Sequence, residues 1–279
     1  MARTLTLWLN LFSNAKNPRF FKQNLRNSLL RRGGATMSEP KYVLVRMKRG
    51  LIHGLKARYY VLAAEKPVEK QFTRENLRLE RIDPQINFVW WDKPAPEIPA
   101  DFFGAEWEGF LKITQGGLYR FYLLTDDGAR LWLNDELIID AWKDQAPTVY
   151  HSDLLGLGAG YHKIFVRFYN KFAFGEIILG WIRPDGVAEV IPQENYAIPS
   201  DTKIVVEGVP EGYCVEFWSG GKILEAVADM KNKAILDATK LVKPQDGYFK
   251  ILTPDGKHVF ESPVIRDVWG GDVFQLGIG

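Results

Sequence analysis

The sequence predicts an all-β protein. A large antiparallel sandwich is expected over residues 51–198 and a smaller one over 202–279, with a short basic helical arm within residues 1–50. Three observations carry this. Apolar and polar residues alternate with period two through most of the chain, which places one face of a strand in a core and the other in water. Turn-forming residues punctuate these runs at short intervals, helped by 25 Gly and 15 Pro in 279 residues. No long pattern of period 3.6 lies between the strand-like runs, which argues against a doubly wound α/β fold.

Within the basic arm, residues 18–32 read as an amphipathic helix. Phe21, Leu25 and Leu29 recur every four residues, Lys22, Arg26 and Arg31 lie beside them, and Gly33-Gly34 ends the pattern. Residues 42–47 then read as a strand leading into the body. In the larger sandwich, strand patterns occupy 55–61, 86–91, 107–114, 118–124, 129–133, 136–142, 148–154, 162–169 and 177–182, with a helical hint only at 74–79. Gly116-Gly117, Asp127-Gly128 and residues 156–160 separate them, and Asn134-Asp135 between two alternating runs marks a tight hairpin. Residues 198–201 read as a linker. Strand patterns resume at 202–207, 214–218, 223–228, 234–237, 248–252 and 259–262, a spacing that suits a small Ig-like or fibronectin-like sandwich.

Charge is unevenly spread. Residues 1–50 hold eleven Lys/Arg against one acid, Glu39, or +10, which leaves −8 on the rest of a chain whose total is +2. A basic arm on an acidic body is a partner signal. Docking within a larger protein assembly is the expected use, with a virion or extracellular filament as one setting. A membrane-surface or nucleic-acid arm is the alternative, and no aromatic interleaving supports nucleic acid. No run reaches the length of a membrane span. The apolar run 5–12 is short, is broken by Asn10 and lacks a nearby small-residue cleavage site, unlike a conventional secretory signal. The single Cys214 excludes an internal disulfide, and its strand context suits a buried structural thiol.

The chemistry concentrates at Asp126-Asp127-Gly128. The two carboxylates lie at a strand end, where function collects, and they repel unless a cation or donor neutralises them. On the residues alone this is either a calcium site or a polar turn whose carboxylates cap backbone amides. Calcium takes about 6–8 oxygens, several of them anionic.

Several collinear segments resemble the protective-antigen-like (PA14) family. They are Gly54-Leu55-Lys56-Ala57-Arg58-Tyr59-Tyr60, Trp107-Glu108-Gly109-Phe110-Leu111, Tyr119-Arg120-Phe121-Tyr122 with Thr125-Asp126-Asp127-Gly128-Ala129-Arg130-Leu131-Trp132, Ile138-Ile139-Asp140-Ala141-Trp142, and Glu189-Val190-Ile191-Pro192. Together they cover roughly residues 53–197. The resemblance implies a β-sandwich used for glycan binding or adhesion. In lectin members the Asp pair, often joined by a cis peptide, holds calcium, and calcium holds sugar hydroxyls. Asp126 and Asp127 occupy those positions, and Asn170 is the candidate for the further oxygen supplied by a later loop. That loop, Lys171-Phe172-Ala173-Phe174, departs from the glycine- or acid-rich family pattern, and Lys171 would oppose a cation.

Phe172 and Phe174 are candidates for apolar contact with a ligand, and Trp132 for a stacking platform on the face opposite Leu131 and Leu133. The resemblance places Trp107, Trp142 and Trp181 in the core. The four histidines are scattered without metal-ligand spacing, and no fold context selects a catalytic carboxylate pair. The expectation is therefore a non-enzymatic binding or adhesion protein. It would take a glycan or cell-surface polysaccharide with calcium as cofactor, in an extracellular, cell-surface or virion-surface setting. A structural role in a virion or filament is the alternative.

Overall fold

The computed structural model describes residues 41–64, 66, 68–172 and 174–279. The expected helical arm at 18–32 lies outside them. Regular structure among the described residues is strand apart from three short 3-10 turns, and no described helix is long and apolar enough to cross a membrane.

Two sheets enclose the larger core. In the eight-stranded one, Phe103–Ile113 pairs along its whole length with Gly160–Asn170, which pairs in turn with Gly128–Leu133 and through it with Glu136–Ala141. The other side of Phe103–Ile113 carries Leu55–Val61 and then Tyr196–Pro199. The facing six-stranded sheet is centred on Gly117–Asp126 and Gly175–Ile182, with Thr148–His151, Leu155–Leu157, Asn87–Trp90 and Ala188–Val190 around them. Alternate residues of every central strand point into one core that includes Trp107, Phe103, Phe121 and Phe168, all fully buried. Each such side chain contributes about 1.5–3 kcal/mol through loss of apolar surface to water. Of the three tryptophans expected there, Trp107 and Trp181 are buried. Trp142 instead half-closes a satellite cluster against Tyr169, at 4.7 Å between rings.

The helical hint at 74–79 is wrong. A turn leads into the strand Leu77–Asp83, whose alternating burial and pairing with Leu55–Val61 override the local pattern.

A smaller pair of sheets follows. Lys222–Val227, Cys214–Trp218, Gln245–Leu252 and His258–Glu261 form one, and Ile265–Val268 joins Gln245–Leu252 at its end. The other contains Val273–Ile278, Lys203–Glu207, Lys233–Asp237 and, at its edge, the distant Tyr42–Lys48. Tyr42 pairs with Ile278 and Val45 with Gln275. The chain therefore begins its described course in the smaller sandwich. It crosses at Leu51–Ile52, builds the larger sandwich, and returns beside its own entry, with Ile52 opposite Ile198. The turn Trp269-Gly270-Gly271-Asp272 locks this crossing. Asp272 is buried, and its carboxylate accepts the Gly50 and Trp269 amides at 2.7 and 3.0 Å and pairs with Arg46 at 3.2 Å.

Candidate functional site: an acidic corner between the sheets

The strand Gly117–Asp126 belongs to one sheet and Gly128–Leu133 to the other, so the chain changes layer across Asp127 alone. The Asp126–Asp127 peptide is cis. Gly128 is required here because any Cβ would strike the Tyr169 ring.

The two aspartates do different things. Asp127 is turned inward and acts as a staple. Its Oδ1 accepts the Gln145 amide at 3.0 Å and its Oδ2 accepts the Lys171 amide at 2.8 Å. Its carbonyl accepts Thr125 Oγ1 at 2.9 Å and Gln145 Nε2 at 3.1 Å. Asp126 stands directly across from Glu176. Both lie on the outer face, because their neighbours Thr125 and Ile177 are fully buried. Like charges opposite one another are unfavourable. Burial first, then the charges of Asp127 and Glu176, push the Asp126 carboxyl up to about 6.

Asn170 is fully buried at the end of its strand. Its Nδ2 donates to the Ala100 carbonyl at 3.2 Å, while its Oδ1 has no hydrogen-bond partner. Such a buried orphan costs about 1–3 kcal/mol. The carboxamide lies against Gly175, where a Cβ would come within 3.1–3.3 Å of it, and Gly175 adjoins Glu176. Asn170 and the carboxylates of Asp126, Asp127 and Glu176 thus lie on strand ends at one end of the sandwich, although the three carboxylates do not all come within 4.8 Å of one another. Lys171 does not neutralise them. Its ammonium pairs instead with Asp144 at 2.6 Å.

The loop after Asn170 connects the two sheets. Phe172 packs edge-on against Phe102 and Phe174 against Trp91, each pair 4.7 Å between centroids. Trp132 does not join this group. It lies on the outer face of the eight-stranded sheet, half-buried beside Phe165 at 5.3 Å, four residues beyond Gly128, or about 13 Å along an extended strand. Sequence reasoning missed Glu176, Gln145 and Phe102, and it weighed Trp91 only as one of six tryptophans able to stack on a sugar face. The Trp90-Trp91 pair held a usable signal, since in a strand one of two neighbours must face outward. Nothing local marked Glu176.

A second cluster, Cys214, Glu216 and Glu225, brings its ligand atoms within 4.8 Å of one another. Lys222 already bridges both carboxylates at 3.3 and 2.6 Å, so an internal cation occupies the cluster and offsets one of its two negative charges.

The family model for the PA14 domain matches residues 53–195, just over half the chain. The chain belongs to the PA14 domain family. A curated relative, the anti-sigma-I factor RsgI3 of Acetivibrio thermocellus, is 30% identical over 179 residues, which is 63% of this chain. This chain spans about a quarter (26%) of that relative's length. Among solved structures, an anti-sigma factor domain-containing protein is 28% identical with a TM-score of 0.47, covering 63% of this chain and 59% of that one. A PA14 sugar-binding domain from an RTX adhesin is 14% identical with a TM-score of 0.46, covering 52% of this chain and 98% of that one.

Proposed function

We propose that this chain is a non-enzymatic glycan-binding module that grips sugar hydroxyls through calcium at the acidic corner, and that it works where glycans are displayed, outside the cell or on its surface. The observation that carries the reading is the Asp126–Glu176 carboxylate pair, which no described lysine or arginine neutralises, at the sandwich end where buried Asn170 leaves its Oδ1 unpartnered. Calcium would remove the repulsion between Asp126 and Glu176 and present coordination positions to vicinal hydroxyls. In this reading Asp126, Glu176 and Asn170 supply oxygens. Asp127 contributes what lone pairs its amide bonds leave and fixes the loops on either side.

The test is a calorimetric titration of calcium into the full chain and into Asp126→Asn and Asn170→Leu. The wild type should bind, and each variant should bind at least about tenfold more weakly. A wild type that gives no heat, and whose melting temperature is the same in excess calcium and in chelator, sinks the calcium reading.

A second reading concerns context. The 179 residues matched in RsgI3 exceed what residues 53–195 supply, so the similarity runs beyond the PA14 domain. This favours a role as the ligand-sensing part of a regulator that restrains a sigma factor. Exchanging the matching region of that relative for this chain should leave a sigma-dependent reporter responsive to a glycan the chain binds in vitro. A silent reporter with binding intact would remove this reading.

A further inference from the structure

We propose that Trp91 and Phe102 are specificity residues, forming with Phe174 and Phe172 an aromatic rail that selects an internal stretch of polysaccharide over a single terminal sugar. This rests on the glycan reading above and goes further by naming the ligand class.

Trp91 follows directly on Trp90, which is paired with Gly175 and faces the core, so Trp91 projects outward and is 83% exposed. It is not a loose side chain. Phe174 holds it edge-on at 61°. A like arrangement occurs two residues earlier in the same loop, where Phe172, 64% exposed, stands at 75° on Phe102. Each pair therefore offers one supported, solvent-facing ring. Water-exposed aromatics fixed in this way suit the apolar faces of pyranose rings, whereas a mobile ring would lose entropy on binding.

Backbone geometry strengthens the case at Phe102. Its φ is +52°, a left-handed conformation uncommon for a bulky residue. Two hydrogen bonds hold it there. The Phe102 amide donates to the Lys171 carbonyl at 2.9 Å, and the Leu62 amide donates to the Phe102 carbonyl at 2.7 Å. The first of these ties the Phe102 backbone to the loop that carries Phe172 and Phe174. Backbone cost of this kind is retained where the surroundings impose it, often at ligand clamps.

Phe172 and Phe174 both belong to the loop between Asn170 and Gly175, whose Lys171 amide is bound by Asp127, so both pairs are tied to the segment that leaves the acidic corner. A terminal sugar held at the corner would leave at least one supported ring unused. A chain running across it would cover both.

The experiment is affinity electrophoresis of the full chain in calcium, in gels containing hydroxyethyl cellulose, xylan or galactan, with the methyl pyranosides of glucose, xylose and galactose as competitors. The wild type should be retarded by at least one polymer, and the matching methyl pyranoside should compete poorly. Trp91→Ala and Phe102→Asn, the latter chosen because asparagine accepts the left-handed backbone, should each lose about tenfold in affinity with calcium binding unchanged. If both variants are retarded like the wild type, or the methyl pyranoside competes as well as the polymer, the rail is wrong and the glycan reading survives. If no polymer retards the wild type, the glycan reading fails and the rail with it. A wild-type dimer that Trp91→Ala converts to monomers would mark the face as a self-interface and also overturn the proposal.

Discussion

Asp126 and Asp127 are adjacent in sequence and opposite in role. Asp127 spends both oxygens on backbone amides, as the polar-turn alternative required. Asp126 faces Glu176 and is held at about 6. The sign follows directly. A carboxyl whose folded value lies above its unfolded one binds a proton more tightly when folded, so without calcium the folded state loses stability as pH rises from about 4 to about 6. Asp126→Asn should flatten that part of the melting-temperature profile, and an unchanged profile would contradict the assignment. With calcium, the same proton competes with the metal. Affinity should fall as pH drops through about 6, and titrations near that pH in buffers of different ionisation enthalpy should reveal proton release. Cys214 belongs at this scale too. The structure makes it half-buried rather than buried, and burial together with Glu216 and Glu225 raises its thiol, so it should alkylate slowly at neutral pH.

At the scale of elements, the corner exists because two strands of different sheets meet with one residue between them. Gly128 makes the meeting possible by admitting the Tyr169 ring, whose hydroxyl donates to Asp144 at 2.7 Å. Gly128→Ala should cost about 1–3 kcal/mol by overpacking, read as a shift in denaturant midpoint, and should weaken calcium binding by displacing the loop that begins at Lys171. By contrast, Lys171→Ala removes an ion pair whose partners are 30% and 56% exposed and leaves the Tyr169–Asp144 hydrogen bond in place. It should change stability by less than about 1 kcal/mol. Alternation and turn residues made the strand Gly128–Leu133 and its hairpin partner legible in advance. They misled at residues 74–79, where tertiary pairing outweighed a short local pattern.

At the scale of the whole molecule, the larger sandwich is an insertion between the first described strand and the rest of the smaller one. Removing Tyr42–Lys48 should therefore damage the distant C-terminal body. A chain beginning at Gly50 should lose protection from hydrogen exchange along Val273–Ile278 first, and equal loss in both bodies would argue against this topology. Asp272→Ala deletes the acceptor that joins the two crossings and strands the Arg46 charge. It should destabilise by about 3 kcal/mol. The Trp269-Gly270-Gly271-Asp272 turn, distinctive in sequence but without evident chemistry, thus has a structural role.

Hydrophobic period and turn chemistry determined that this protein is made of strands, two adjacent carboxylates marked the acidic dipeptide, and the family resemblance pointed to the aromatic loop. Those signals are local, written within a few residues of where they act. Only the tertiary structure decided that residues 42–48 pair with 273–278, that Glu176 faces Asp126, and that the oxygen of Asn170 is left without a partner. Register and sheet membership arise from contacts between distant segments, and no short window of sequence contains them.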